Sequence, residues 1–134
     1  MLTATMFHGS SLPVLEQVVN FSQARHNVLA GNIANMDTPG YQVRDLSPQR
    51  FQEMLKEAIA TRDDRRTGPF PGHDDSALRQ VGANLEGILF HDRSNDSIEY
   101  QVAEMSKNQI QHNMALSIMN SQFRLLQSAI SERV

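Results

Sequence analysis

The apolar positions in the last third of the chain fall on a regular spacing. Ile98, Val102, Met105, Gln109, His112, Leu116, Met119, Phe123, Leu126 and Ile130 follow one another at intervals of four and three, the heptad pattern of a helix with one packing seam. No glycine or proline follows Gly87, and at 1.5 Å per residue the seam spans roughly 48 Å. Asp96, three residues before Glu99, predicts the N-cap and its capping box. A second helix is predicted from Leu12 or Pro13 to Asn35, capped by Ser10 or Ser11, with Pro13 in the first turn. Leu12, Leu15, Val19, Ser22, His26, Leu29 and Ile33 line it at the same spacing.

Both seams are interrupted near their middles by polar residues, Ser22 and His26 in one, Gln109 and His112 in the other. An antiparallel pairing with residue numbers summing to about 135 brings the four together as a register-fixing layer. It also opposes Leu12 to Phe123, Val19 to Leu116, Leu29 to Met105 and Ile33 to Val102.

Between the helices, Thr38 before a proline is steered out of helical dihedrals, and Pro39-Gly40 suits the centre of a type II turn. Ser47-Pro48 opens a shorter helix with Phe51, Met54 or Leu55, Ala58 and Ile59 on its apolar face, ending near Thr61. No period is sustained from Arg62 to Asn95, where Val81 to Phe90 reads as a short strand or two, or as disorder. The expected fold is mainly α: long terminal helices paired as an antiparallel coiled-coil-like unit, a short third helix and an irregular or weakly β middle. Its segments are an N-terminal helix (1–35), a turn and short helix (36–61), a polar, flexible or interfacial insert (62–96) and a C-terminal heptad helix (97–134).

Charge changes this picture. Residues 1–24 carry only Glu16, and no charge lies between Lys107 and Arg124. Outside its seam the last helix has a second apolar stripe, Ala103, Ile110, Met114, Ile118, Leu125 and Ala129, and its other faces are mostly amides and hydroxyls. A soluble hairpin normally lines its outer faces with Glu and Lys. Amides can be buried if they find hydrogen bonds, whereas buried ions cost several kcal/mol each. The pattern points to lateral packing in an assembly.

Chemistry is sparse. With no cysteine, disulfides and thiolate metal sites are excluded. The five histidines form no i, i+4 metal pair, and His73-Asp74-Asp75 and His91-Asp92 read as solvated loops. Neither a phosphate loop nor a nucleophile elbow is present, so no catalytic residue, metal or cofactor is assigned. A net charge of −3 and a basic cluster interleaved with Asp63 and Asp64 leave no footprint for nucleic acid. No small-molecule substrate is expected. No apolar run reaches the ~20 residues of a membrane span, and Met1 to Met6 lacks the features of a cleavable signal.

The stretch from Asn27 to Tyr41 resembles the N-terminal signature of bacterial flagellar rod and hook proteins. Asn32, Ile33, Ala34 and Asn35 match its helix end, and Thr38, Pro39, Gly40 and Tyr41 its turn. Physically, Asn32 and Asn35 can satisfy groups left open at the helix end, and Tyr41 can anchor the exit. The chain's small size, and Arg44-Asp45 followed by a helix with Phe51 and Leu55, resemble the proximal rod subunits. Asp92 to Asp96 and Glu104-Met105 match the family's C-terminal features more loosely. The resemblance covers about residues 10–60 and 90–134. It implies export by the flagellar type III apparatus without a cleaved signal, and polymerisation into a rod that transmits torque across the periplasm. Implied partners are copies of the chain, other rod proteins, the rod-base adaptor, the MS ring and the export gate. The alternatives are a secreted helical adaptor, or another axial protein outside the proximal rod.

Overall fold

A computed structural model describes residues 11–67, 75–91 and 97–132, apart from the Arg66 side chain. In chain order it contains α1 (Leu12–Ala34), β1 (Arg44–Leu46), α2 (Pro48–Thr67), α3 (Ser76–Ala83), a 3-10 turn (Leu85–Ile88), β2 (Leu89–His91) and α4 (Ile98–Ser131). The two long helices pack antiparallel, as the heptad spacing predicts. α1 is the shared element, with α4 along one side and the middle of the chain folded onto the other.

Local chemistry accounts for most boundaries. The Tyr41 amide donates to the Thr38 carbonyl at 3.2 Å, and Gly40 sits at φ +77°. These are the closing bond and the left-handed third residue of a type II turn. Ser47 caps α2 by accepting from the Arg50 amide at 3.3 Å, ahead of Pro48 at the first helical position. The cap of α4 differs from the expectation. Ser97, in extended conformation, accepts from the Tyr100 amide, so the helix starts one residue past Asp96, which lies outside the described residues. α2 also runs to Thr67 rather than Thr61, because residues 62–66 continue its turns, with Asp63, Asp64 and Arg65 exposed to water.

Residues 75–91 are more ordered than their sequence pattern suggests. Leu78 and Val81 on α3, with Ile88 of the 3-10 turn, join Phe21, Leu46, Phe51 and Ala58 in one buried cluster. Val81 is therefore helical rather than part of a strand. Only Leu89–His91 pairs as β2, antiparallel to β1 with Asp45 opposite Phe90. The rings of Phe21 and Phe51 stack with centroids 4.1 Å apart, tying α2 to α1. Gly82 allows the close approach of α3, since a Cβ there would come within 2.5 Å of the Gln17 side-chain oxygen.

Leu78 is 0% exposed, so truncating it opens a cavity that rigid neighbours cannot fill. Leu78→Ala is expected to destabilise the fold by about 2–5 kcal/mol in urea unfolding; a loss below about 1 kcal/mol would mean that residues 75–91 do not belong to the core.

Candidate assembly surface

The side of α1 that meets α4 is polar, and three buried groups dominate it. Asn32 is 0% exposed and uses its whole hydrogen-bonding capacity. Its Nδ2 donates to the Arg44 carbonyl at 2.6 Å and to Gln101 Oε1 at 2.9 Å. Its Oδ1 accepts from the Tyr41 hydroxyl at 2.9 Å and the Arg44 amide at 3.2 Å. One side chain thus joins α1, the turn, β1 and α4. Asn35 acts locally, donating from Nδ2 to the Gly31 carbonyl at 2.8 Å.

About two turns towards the N-terminus, Arg25 is buried and forks onto Asp45, with Nε to Oδ1 at 2.9 Å and Nη2 to Oδ2 at 2.8 Å. The same Nη2 donates to Glu104 of α4 at 2.8 Å, and Lys107 closes the group with a 2.8 Å bond to the other Glu104 oxygen. Burial works against the Arg25 charge, but its bonds to the two carboxylates outweigh it and hold the pKa above the ordinary value. For Glu104, burial pushes upwards and is outweighed by the bonds donated by Lys107 and Arg25, leaving the carboxyl below its ordinary value. Lys107 is raised by its bond to Glu104.

The third polar group is the layer expected at the middle of the pair. Ser22 Oγ donates to the Val19 carbonyl at 2.9 Å. Its single proton is thereby used, so in the 2.8 Å contact with His112 Nδ1 the imidazole is the donor. Asn108 Nδ2 donates to the Ser22 carbonyl at 2.7 Å. Ser22, His26, Asn108, Gln109 and His112 line one cavity of about 150 Å³, and of the four residues expected together Ser22 and His112 share a hydrogen bond. Gln109 itself is exposed and bonds along its own helix to Asn113. At the far end Gln122 donates to Ser11 Oγ.

These partners set the rotation of α4, and the seam differs from the one its apolar spacing predicts. The inward line runs Gln101, Met105, Asn108, His112, Ala115, Met119, Gln122 and Leu126, all buried or half-buried. Met105, His112, Met119 and Leu126 were expected there. Ile98, Val102, Leu116, Phe123 and Ile130 were also expected there but are instead exposed, Phe123 by 47% and Ile130 by 54%. Turning them inward would remove the bonds that Gln101, Glu104, Asn108 and His112 make to Asn32, Arg25 and Ser22, and a buried polar group that loses a partner costs more than an exposed apolar one. On α1, Leu12, Ser22 and Leu29 are buried, and Leu15, Val19, His26 and Ile33 half-buried. Gln101, Asn108 and Arg25 were not singled out as seam residues, and Glu104 was noted only as part of a loose family match; for the two amides, uncharged polar residues at heptad spacing were the signal available.

α4 therefore shows two apolar flanks to solvent, one on each side of its polar seam. Ile110, Met114, Ile118 and Leu125 form one, with exposures of 64, 60, 42 and 70%. Val102, Leu116, Phe123 and Ile130 form the other. Contiguous apolar stripes of this kind mark surfaces meant for another macromolecule. Among the described residues no cluster of three or more His, Cys, Asp or Glu could hold a metal ion.

Comparisons with known proteins point the same way. Residues 20–42 match the family model described as flagella basal body rod protein. The flagellar basal body rod protein FlgB of Aquifex aeolicus is 31% identical over 128 residues, covering 96% of this chain and 97% of the relative. That of Bacillus subtilis is 23% identical, covering 95% and 97%, and that of Escherichia coli 28%, covering 86% and 88%. No solved structure matches the chain.

Two outcomes follow from the polar seam. Asn32→Ala is expected to destabilise the free subunit by about 2–4 kcal/mol, since it leaves several buried groups unpaired, while Phe123→Ala shifts it by less than about 1 kcal/mol; equal effects in urea unfolding would refute the observed rotation. The Glu104 pKa is lower folded than unfolded, so its stabilisation is complete above the ordinary value of 4.5 and is lost as pH falls through the lowered one. Urea midpoints of the free chain are expected to fall on acidification, and those of Glu104→Gln to start lower at neutral pH and fall less. Parallel acid profiles would show that the clamp contributes nothing.

Proposed function

The chain belongs to the family of the flagellar basal body rod protein FlgB, and on that premise we propose that it is a structural subunit of the proximal rod. In this reading it leaves the cell through the flagellar type III apparatus without a cleaved signal and polymerises through its terminal helices. The rod so formed carries motor torque across the periplasm. The family is one of structural proteins, and the chain's chemistry suits it: uncharged apolar faces and a polar seam that fixes shape.

The observation that carries the proposal is the pair of uncovered flanks on α4. A protein that works alone would expose Glu and Lys there; this one exposes Ile110, Met114, Leu116, Ile118, Phe123 and Leu125. Many such contacts between neighbours give a stiff shaft, because close-packed apolar surfaces are nearly incompressible. The seam residues Ile98, Val102, Leu116, Phe123 and Ile130 keep a packing role in this reading, against neighbours rather than α1. The motif from Asn32 to Tyr41 fixes the turn from which residues 36–61 leave to contact an adjoining subunit. Partners proposed from the resemblance are other rod proteins, the rod-base adaptor, the MS ring and the export gate. Among the described residues no helix is long and apolar enough to cross a membrane. A secreted adaptor that stays monomeric would share the hairpin but has no use for two bare flanks.

Deletion of the gene is expected to abolish motility and leave basal bodies without a complete rod, with recovery on re-expression of the chain. Ile118→Asp is expected to keep the helix content of the purified subunit yet fail to restore swimming. Full rods in the deletion strain, or swimming restored by Ile118→Asp, would contradict the proposal.

A further inference from the structure

α1, α2 and α4 enclose an apolar groove of about 230 Å³. Its floor is Leu15, Val18 and Phe21, one wall is Phe51 and Leu55, and the other is Met114 and Ile118. Among the described residues no charged side chain lines it, and Phe51 is held in place by its stack on Phe21. The groove has room for a large apolar side chain or two.

Resting on the rod-subunit reading, we propose that this groove receives one or two side chains of the Leu116–Phe123–Ile130 stripe of a second copy of the same chain. Three observations favour that occupant. The stripe repeats every seven residues, so its side chains stand in line along one face of a helix, and Leu116, Phe123 and Ile130 are exposed by 39, 47 and 54%. The two surfaces match in charge over most of their length, since none of the described residues lining the groove is charged and α4 has no charge from Asn108 to Phe123, Arg124 being the one cation beside the stripe. They also lie on opposite sides of the seam: Met114 and Ile118 flank the inward line on the α2 side, and Leu116 and Phe123 flank it on the other. A contact between different faces of identical molecules leaves each bound copy with a free groove or a free stripe. Such contacts repeat into rings or helices rather than closing as dimers. α4 thereby supplies both halves of one joint, with α2 present to shape the socket.

The absence of cysteine makes the joint directly testable. Met114→Cys, Phe123→Cys and the double variant are expressed in cells lacking the natural chain, and isolated basal bodies are treated with a short bis-maleimide. The two positions are nine residues apart on one straight helix, roughly 13 Å along its axis, and point to different flanks, so a linker shorter than this joins only different molecules. The double variant is expected to give a ladder of cross-linked multimers of this chain, and co-expressed single variants to give dimers alone. Cross-linking of Phe123→Cys by itself, or no cross-link between copies in basal bodies that contain the chain, overturns the groove-to-stripe joint and leaves the rod reading standing. Absence of the unsubstituted chain from basal bodies overturns both.

Discussion

The structure depends on how three buried polar side chains of α1 find partners on α4. Arg25, Ser22 and Asn32 face the long C-terminal helix, and each would be costly if left unpaired. Glu104, His112 with Asn108, and Gln101 answer them at distances of 2.7–2.9 Å. Hydrogen bonds are directional, so this set fixes both the register and the rotation of α4. Apolar contacts alone would leave the helix free to roll, because it has apolar residues on three sides of its circumference.

That choice has a cost that shapes the function. Placing amides and Ala115 at the seam turns Val102, Leu116 and Phe123 to one flank and Ile110, Met114 and Ile118 to the other. The lone subunit thus has most of its buried polar groups paired, with Asn108 Oδ1 and His26 Nδ1 among the exceptions, and its apolar flanks uncovered. Such a division suits an assembling subunit, whose shape is set by polar geometry while the free energy of growth comes from apolar area buried between copies. The scarcity of charge on these faces fits the same division, since an ion trapped between subunits would oppose growth. The small core of Phe21, Phe51, Leu78 and Val81 ties α2 and α3 to α1, with the Phe21–Phe51 stack as one link.

Some of this was legible in the sequence. Thr38-Pro39-Gly40-Tyr41 announced its type II turn, Ser47-Pro48 its helix start, and the glycine-free run after Gly87 a helix that reaches Ser131. Of the four polar residues expected to share a layer, Ser22 and His112 are in contact, while Gln109 turns outward to Asn113. The rotation of α4 was not legible, because apolar periodicity ranks Val102 and Leu116 above Gln101 and Asn108 for burial. Only the knowledge that Asn32 and Arg25 face that helix reverses the order. α3 escaped for a different reason: eight residues with Arg79 and Gly82 among them give too short a pattern, and Leu78 and Val81 acquire their meaning from Phe21 and Phe51 far away in sequence. The Ser97 cap displaced Asp96 by a single position, a distinction that two adjacent good capping residues cannot reveal.

The most direct measurement is hydroxyl-radical footprinting of side chains in the free subunit and in isolated basal bodies. If neighbours rather than water are the natural environment of the α4 flanks, Met114, Leu116, Ile118 and Phe123 label readily in the free chain and become strongly protected after assembly, while Leu29 and Leu78 stay protected in both. Flank residues that label equally in subunit and rod would contradict this, and the bare stripes of α4 would then be an incidental feature of its surface.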